Sequence, residues 1–430
     1  MYVADSRGTP APTVTAEPAA ARGTRPGRRA AAVAPTVLAL GTVSLITDVS
    51  SEMVTAVLPL YLVAGLGLSP LGFGLLDGVY NGVSALVRLT GGHLADRSGR
   101  HKTVAGLGYG LSALVKPLLL IAHTLPAIGA LLALDRTGKG LRTAPRDALI
   151  SLAAEPEERG RAFGVHRAMD TAGAMIGPLV AFLILRQAAE GYDAVFAVSS
   201  CVAALGVVVL VLFVPGRAAR PDPAPGAGRV SLRASLGLLR RPELRRITLC
   251  ALFLGLTTVS DAFVFLLLQH RTGLADRWFA LLPLGTAAAF FLLALPLGRL
   301  ADRIGRWRVF LGGHLLLLLA YGLLLTSWHG PWLPYAVLLL HGTFYAATDG
   351  VLMAAAAGVV PEELRAGGMA LVQTGQALAR FVCSIAFGAA WTAWGERPAL
   401  ITATAGLALC ALLAARLGPG DSPAPRKAPA

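Results

Sequence analysis

The stretch that decides the fold reads GHLADRSGR at residues 92–100, and it returns as GRLADRIGR at residues 298–306. The two copies are 206 positions apart in a chain of 430 residues. A second sequence, Pro-Glu-Glu, begins at Pro156 and returns 205 positions later at Pro361. Because two separate motifs recur at nearly the same spacing, the chain is predicted to consist of two related halves joined by parallel duplication.

The sequence around these motifs is strongly apolar. The hydrophobic residues make up 55% of the chain and the charged residues 14%, against about 45–50% and about 25% in soluble domains. Crossing about 30 Å of hydrocarbon takes about 20 apolar residues in a helix. We therefore predict an all-α membrane protein with twelve transmembrane helices in two six-helix halves. The predicted spans are 36–62, 73–93, 103–122, 126–150, 161–185, 192–214, 247–268, 278–297, 308–327, 333–353, 368–394 and 399–415.

Composition also divides the chain into regions. Residues 1–34 and 417–430 are predicted to be disordered cytoplasmic tails, because they cannot bury a core. Residues 35–214 and 247–416 form the predicted halves, and the basic, proline-containing segment 215–246 is the predicted cytoplasmic linker.

Basic residues predict the orientation. Of 38 Lys and Arg, 26 lie in the two tails and in the loops that follow even-numbered spans. Only four lie in the loops that follow odd-numbered spans. Since short cytoplasmic loops are enriched in Lys and Arg, both termini are predicted to be cytoplasmic, in the inner (plasma) membrane. The net charge of +14 is spread over seven segments, so it indicates contact with the lipid bilayer and no nucleic-acid partner.

No cofactor chemistry is indicated. The four cysteines, Cys201, Cys250, Cys383 and Cys410, lie in apolar runs without metal-ligand spacing. His166, Met169 and Asp170 lie within five residues, which is compatible with a soft-metal site, but a structural role is favoured. We expect no metal, no cofactor and no enzymatic activity.

The repeated motif, read as G-x-L-A-D-R-x-G-R, resembles the signature of the major facilitator superfamily. The resemblance implies alternating-access transport of a small solute, and we expect a monomer. It also implies a gate latch that holds the outward-facing state. Asp96 would dock on the start of span 11, and Asp302 on the start of span 5, near helix N-termini; the alternative is a solvated loop that serves only topology. The latch residues are Gly92, Asp96, Arg97, Gly99, Arg100, Asp302, Arg303 and Arg306.

Span 5 resembles the antiporter motif of the same superfamily through Gly164, Gly173, Gly177 and Pro178, with Ala181 in place of the last glycine. In the family this motif is associated with proton-driven export. Glycine and proline let a helix bend and approach a neighbour closely. Helix packing alone is the alternative.

Eight acidic and eight basic residues fall within the predicted spans, thirteen of them in the N-terminal half. An uncompensated charge at the membrane centre costs roughly 2.5–3.5 kcal/mol on an insertion scale, so most must pair or face a wet cavity. Asp48 and Glu52 lie one helical turn apart and are candidate proton carriers; the alternative is a permanent ion pair with span 4. For Asp170 we keep three roles open: carrier, substrate contact and salt bridge.

Six further residues are candidates for contact with the substrate or the proton path. They are Arg136, Lys139, His166, Arg167, Asp261 and Tyr345. The C-terminal half is otherwise expected to supply an apolar wall that contains Phe263, Phe265, Phe344 and Phe381.

These observations favour a proton-coupled exporter of a small organic solute, with protons as the second partner. One alternative is a proton-coupled uptake symporter for an anionic metabolite or a metal chelate. Another is a transporter-like sensor or assembly protein, which would have little need for the latch signature in both halves.

Overall fold

The computed structural model describes residues 34–98, 100–155, 158–187, 191–215, 237–327, 330–360 and 365–418. Within residues 84–98 and 365–370, side chains are described only at Val87, Gly368 and Met369. The predicted tails and linker lie mostly outside these ranges. The helices are α1 (Pro35–Leu60), α2 (Pro70–Ser98), α3 (His101–Leu118), α4 (Leu125–Ala153), α5 (Arg159–Gln187), α6 (Tyr192–Phe213), α7 (Pro242–Gly255), α8 (Asp261–Thr272), α9 (Asp276–Phe279), α10 (Leu282–Ile304), α11 (Arg306–Leu325), α12 (Leu333–Val359), α13 (Arg365–Trp394) and α14 (Glu396–Leu417).

The described residues form helices without any β-strand, which confirms the predicted all-α class. Eight helical segments of the described chain are long and apolar enough to cross a membrane. The other predicted spans correspond to α2, α3 and α4, and to the pair α7 and α8. Among these, α4 carries Asp135, Arg136, Lys139, Arg142, Arg146 and Asp147.

The seventh predicted span is not continuous, because residues 256–260 separate α7 from α8. Thr257 and Thr258 both bond through their hydroxyl groups to the Leu254 carbonyl, at 3.0 and 2.8 Å, and so compete with helical hydrogen bonding. The backbone N–H of Val259 donates to the Tyr321 hydroxyl of α11 at 2.8 Å. A neighbouring helix thus satisfies a backbone group that the break releases, as a break inside a membrane bundle requires.

Packing within the two halves follows one pattern. In the N-terminal half α2 and α3 pack on α4, and α1 packs on α5 and α6; in the C-terminal half α10 and α11 pack on α12, and α7 packs on α13 and α14. The duplication in the sequence is therefore also a duplication in space.

Small residues allow the closest approaches. A Cβ added at Gly177 of α5 would lie 2.8 Å from the Glu52 Cβ of α1, and one added at Gly108 of α3 would lie 2.6 Å from the Gly138 carbonyl of α4. Gly305, between α10 and α11, has a φ of 108°. Residues other than glycine rarely adopt this conformation, which explains one glycine of the repeated motif.

The halves meet at one end of the bundle, where the connections after α1, α3 and α5 lie. We call it the predicted outer end. The aromatic rings of Phe73 (α2) and Phe263 (α8) lie 4.8 Å apart there, and the backbone N–H of Leu71 donates to Thr392 of α13 at 2.9 Å. Asp77 of α2 accepts a hydrogen bond from Ser384 of α13. The structure therefore has its predicted outer end closed.

Candidate transport site

A charged cluster joins α1, α4 and α5 in the N-terminal half. Asp48 Oδ1 lies 3.5 Å from Arg142 Nη2. Asp170 lies 3.5 Å from Arg146 and 3.3 Å from Arg167. The Asp48 and Asp170 carboxyl groups are electrostatic neighbours, and each lies against an arginine of α4. Two adjacent carboxyl groups can hold a proton between them, or can each pair with an arginine, so the cluster has two ways to balance its charge.

The Asp48–Arg142 pair is the ion pair between spans 1 and 4 that the alternative role of Asp48, a permanent ion pair, requires. The structure also contains a salt bridge at Asp170, one of the three roles left open for that residue. Neither contact excludes proton transfer, because a carboxylate that accepts a proton can release its arginine.

Glu52 differs from Asp48. Among the residues that the structure describes, its carboxylate forms no hydrogen bond or ion pair, although the side chain is partly buried. Lys139 of α4 exerts the largest attraction on both Asp48 and Glu52. Glu52 is thus a carboxylate beside a cationic helix without a fixed partner, which is the arrangement expected for a group that exchanges protons.

His166 lies beside the cluster and is 3% exposed. Its Nε2 atom lies 3.0 Å from the Ser44 hydroxyl, which in turn lies 3.3 Å from the Tyr109 hydroxyl. Arg146 donates to the same Ser44 hydroxyl at 3.3 Å. These contacts hold the imidazole in the packing between α1, α3 and α5. Within the described part of the chain, no group of His, Cys, Asp and Glu side chains is arranged to hold a metal ion.

Arg136 is buried and forms an ion pair of 2.7 Å with the adjacent Asp135. Its guanidinium group lies 3.9 Å above the Tyr80 ring of α2, a favourable cation–π distance. Tyr80 is itself held by a hydrogen bond of 2.6 Å to Thr55 of α1. Arg136 is therefore part of a contact between α2 and α4, and Lys139 lies one turn further along α4.

The C-terminal half contains a smaller polar cluster. The Tyr345 hydroxyl of α12 donates to Asp261 Oδ1, the first residue of α8, at 2.5 Å. His341 Nε2 lies 3.5 Å from the same oxygen. Arg380 of α13 lies 5.8 Å from the centre of the Tyr345 ring. Asp261 and Tyr345 were candidates from the sequence. The structure places them beside His341 and Arg380, which were not.

The residues of the expected apolar wall lie in two settings. Phe263 is fully buried and packs on Phe73 and Phe387, at ring distances of 4.8 and 4.9 Å. Phe381 packs against Gly78 and Gly82 of α2, so these two rings join helices and halves. Phe344 is 2% exposed and lines a pocket with Phe310, His314 and Arg380.

The sequence suggested no role for two charged residues, Lys116 and Asp77. Lys116 is 2% exposed, and its Nζ atom donates to Ser50 and Ser51 of α1 at 2.5 and 3.2 Å. In the described chain it forms no ion pair. Asp77 links the two halves through Ser384. Both are charges within predicted spans, but the contacts that join them to other helices lie 65 to 307 positions away, and no local pattern identifies these contacts.

The gate-latch residues divide into two sets. The side chains of Gly92, Asp96 and Arg97, and the whole of Gly99, lie outside the described residues. Arg100 is exposed. In the second copy, Asp302 is 68% exposed and pairs at 3.3 Å with Arg306, which also donates to the Ala354 carbonyl at 2.8 Å.

The expected docking of Asp302 on the start of α5 stays a prediction, because it belongs to the outward-facing state. In this structure Asp302, near the end of α10, pairs with Arg306 at the start of α11, and Arg303 is exposed. In a conformation whose predicted outer end is closed, the contact that holds the outward-facing state is expected to be released. The exposed position of Asp302 agrees with this expectation.

The glycines of span 5 mark a helix contact. Gly173 packs on the Leu45 backbone and Gly177 on Glu52 and Met53 of α1, whereas no atom would lie within 4 Å of a Cβ at Gly164. Pro178 is buried inside α5, which continues through it from Arg159 to Gln187. Two of the motif glycines therefore set the distance between α5 and the helix that carries Asp48 and Glu52.

Comparison with known proteins agrees with this architecture. The sequence model of the Major Facilitator Superfamily matches residues 40–293 and 279–430. An uncharacterised MFS-type transporter of Methanocaldococcus jannaschii is 27% identical over 363 residues, which are 83% of this chain and 88% of that protein.

Two solved structures have the same fold. The nucleoside transporter NupG superposes with a TM-score of 0.77 at 12% identity, covering 89% of this chain and 99% of that one. A bacterial homologue of the human lysosomal transporter Spinster superposes with a TM-score of 0.72 at 16% identity, covering 89% and 96%.

Two packed helical halves with paired charges inside define a multi-pass membrane transporter, not an enzyme. The chain belongs to the Major Facilitator Superfamily and is a secondary transporter of that family.

Proposed function

We propose that the protein is a proton-coupled exporter of a small organic solute. It acts as a monomer in the inner (plasma) membrane, with both termini in the cytoplasm. The observation that carries the proposal is the position of Glu52: a carboxylate without a fixed partner among the described residues, one turn from the Asp48–Arg142 pair and electrostatically close to Lys139.

The cluster supplies a physical mechanism for coupling. While Asp48 and Glu52 are ionised, they attract the cations of α4 and hold α1 against α4. A proton bound at either carboxyl group removes one of these attractions, so that Lys139 or Arg142 turns to another anion or to water. Proton occupancy then changes the free energy of one arrangement of α1 and α4 relative to the other, as coupling requires.

The contact between α5 and α1 supports the assignment of these carboxyl groups. Gly177 lies against the Glu52 side chain, and its added Cβ would come within 2.8 Å. A change in the angle of α5 therefore changes the surroundings of Glu52 directly. The resemblance of this glycine pattern to the antiporter motif favours export over uptake.

The uptake symporter is the second candidate, and one observation favours it. The Arg167 side chain is 47% exposed although it lies on a helix with a charged interior. An accessible guanidinium group can bind an anionic solute. Measuring the direction of proton movement separates the two candidates.

The experiment begins with a screen. Purified protein is heated with members of a metabolite and drug library at two pH values, because a solute that binds the folded state raises the unfolding temperature. A hit is then added to everted vesicles with an acidic interior, and the pH gradient is followed by a fluorescent dye. Export predicts that the solute dissipates the gradient, and that Asp48→Asn and Glu52→Gln abolish this effect.

Glu243→Gln is the matched control, since Glu243 is an exposed carboxylate in the first turn of α7, in the other half of the chain. Its vesicles should respond like the wild type. If both carboxylate variants respond like the wild type, Asp48 and Glu52 are not the carriers. If the solute accumulates with protons in right-side-out cells, the symporter is correct.

A further inference from the structure

His341 of α12 occupies an unusual environment. It is fully buried, and among the residues that the structure describes neither ring nitrogen has a hydrogen-bond partner. Its ring is enclosed by the rings of Phe265, Phe344 and Tyr345, at centre distances of 6.1, 6.3 and 5.3 Å. Because nearly all buried polar atoms in folded proteins are hydrogen-bonded, two unpartnered nitrogens on one imidazole require an explanation.

The nearest charged atom is a carboxylate oxygen. Asp261 Oδ1 lies 3.5 Å from His341 Nε2, which is an ion-pair distance without hydrogen-bond geometry. The Asp261 side chain is 46% exposed. It begins α8, directly after the break at residues 256–260. Asp261 therefore reaches both a buried imidazole and an accessible space.

Tyr345 holds Asp261 in this position by donating its hydroxyl hydrogen to Oδ1 at 2.5 Å. Both Tyr345 and His341 thus approach the same carboxylate oxygen from α12. Three further charged side chains act on this group: Arg380 of α13 acts on His341, Asp349 of α12 acts on Tyr345, and Asp77 of α2 acts on Asp261 from the other half.

We propose that His341 and Asp261 form a second proton-binding site, in the C-terminal half and separate from the Asp48–Glu52 cluster. A proton from the accessible space binds to Asp261 and passes to His341 Nε2, which leaves an imidazolium ion beside a carboxylate. The imidazolium donates to Asp261, so the contact becomes a charge-assisted hydrogen bond and gives one ring nitrogen the partner it lacks. Tyr345 is a positioning residue that keeps the carboxylate oriented.

Protonation of His341 changes the contacts that join α8 to α12. With His341 neutral, Tyr345 provides the hydrogen bond between these helices; with His341 protonated, an ion pair is added. Because α8 is separated from α7 by the broken segment, it can respond to these contacts independently. For its role in transport this site rests on the proposed proton coupling, but proton binding itself can be measured without a solute.

The test uses the full chain, labelled with 15N at its eight histidines, in lipid bilayers. Solid-state NMR follows the ring nitrogens as a function of pH, and His341→Gln assigns the signal. We expect the His341 nitrogens to titrate, and the midpoint to move by about one pH unit in Asp261→Asn, since an adjacent charge shifts proton affinity by this order. Tyr345→Phe should also move the midpoint while leaving His341 intact.

His314 of α11 is the internal control. It is buried in the same half, but its Nδ1 atom lies 2.9 Å from the Phe310 carbonyl, so its behaviour should be the same in both variants. A His341 signal that stays constant with pH overturns the inference, and so does a titration that is unaffected by Asp261→Asn. Vesicle responses that depend on Asp48 and Glu52 would leave the proposed function standing in either case.

Discussion

Arg142 of α4 lies 3.5 Å from Asp48 of α1, between Nη2 and Oδ1. The Arg142 side chain is 4% exposed, its Nη1 atom has no hydrogen-bond partner in the described part of the chain, and its guanidinium group lies 4.6 Å from the Tyr109 ring centre. Arg142 therefore depends on Asp48 and on one aromatic face to compensate its charge. The pair is at once a structural tie between two helices and the neighbour of the candidate proton carriers.

Removal of one partner should be costly. Arg142→Gln leaves Asp48 buried beside Asp170, and breaking a buried ion pair typically costs about 3–5 kcal/mol. We expect a clear fall in the unfolding temperature at neutral pH, measured by tryptophan fluorescence in detergent. Asp48→Asn in the same background should recover part of the loss. Additive effects in this double-mutant cycle would contradict a direct interaction.

The contact between α5 and α1 predicts a steric effect. Gly177→Val places methyl groups where a Cβ alone would lie 2.8 Å from Glu52 and from the Val49 carbonyl. Overpacking of this kind costs about 1–3 kcal/mol, so the unfolding temperature should fall. Gly164→Ala is the matched control on the same helix, because nothing lies within 4 Å of that position. Equal unfolding temperatures for the two variants would show that α5 and α1 are farther apart at Gly177 than in this structure.

The closed outer end predicts a cross-link between the halves. A Cβ atom added at Gly82 of α2 would lie 3.5 Å from the Phe381 Cβ atom of α13, within the Cβ–Cβ range of a disulfide, so cysteines at these two positions should form a disulfide on mild oxidation. The background replaces the four native cysteines with serine. Cleavage within the linker should then leave the halves joined until a reductant is added. Each single-cysteine variant is the control, and separated halves in the oxidised double variant would contradict the closed contact.

A pair outside the membrane-spanning segments predicts pH dependence. His270 Nδ1 lies 3.2 Å from Glu396 at the start of α14, and the hydrogen bond to Glu396 raises the pKa of His270 above its ordinary value. The stability that this pair contributes is fully present below the ordinary histidine pKa. It is lost as the pH rises through the raised value.

Glu396→Gln should therefore lower the unfolding temperature at about pH 5.5 and have little effect at about pH 8, a span that includes the ordinary histidine pKa. Because the His270 side chain is 46% exposed, solvent screening limits the effect to about 0.2–1 kcal/mol. His270→Gln should remove the difference between the two pH values. An equal effect of Glu396→Gln at both values would assign its contribution to something other than the charged pair.

Much of the architecture could be predicted from sequence, because each helix depends on local composition. The apolar segments place α1 and α5 within a few residues of their ends in the structure, and the duplicated motif predicts equivalent packing in both halves. The break between α7 and α8 could not be predicted in this way. It depends on a hydrogen bond from Val259 to Tyr321, 62 positions away.

In the candidate site, too, the sequence indicated some residues, whereas their contacts depend on the tertiary structure. Sequence singled out Asp48, Glu52 and Asp170 by the high cost of a charge in hydrocarbon. It also singled out Asp261 and Tyr345, but not His341, since an isolated histidine in an apolar run carries no periodic signal. Which carboxylate faces which cation depends on helix rotation, and a periodic apolar pattern is weakest on a helix such as α4, where charges occupy more than one face.

The sequence by itself determined the class of protein, the approximate positions of most apolar helices, their duplication and the charged residues within them. These properties follow from residue type and short-range order along the chain. Only the tertiary structure decided that Asp48 pairs with Arg142, that Glu52 has no fixed partner among the described residues, and that Asp261 lies beside His341. Such contacts join helices distant in sequence, and close packing of side chains sets their geometry.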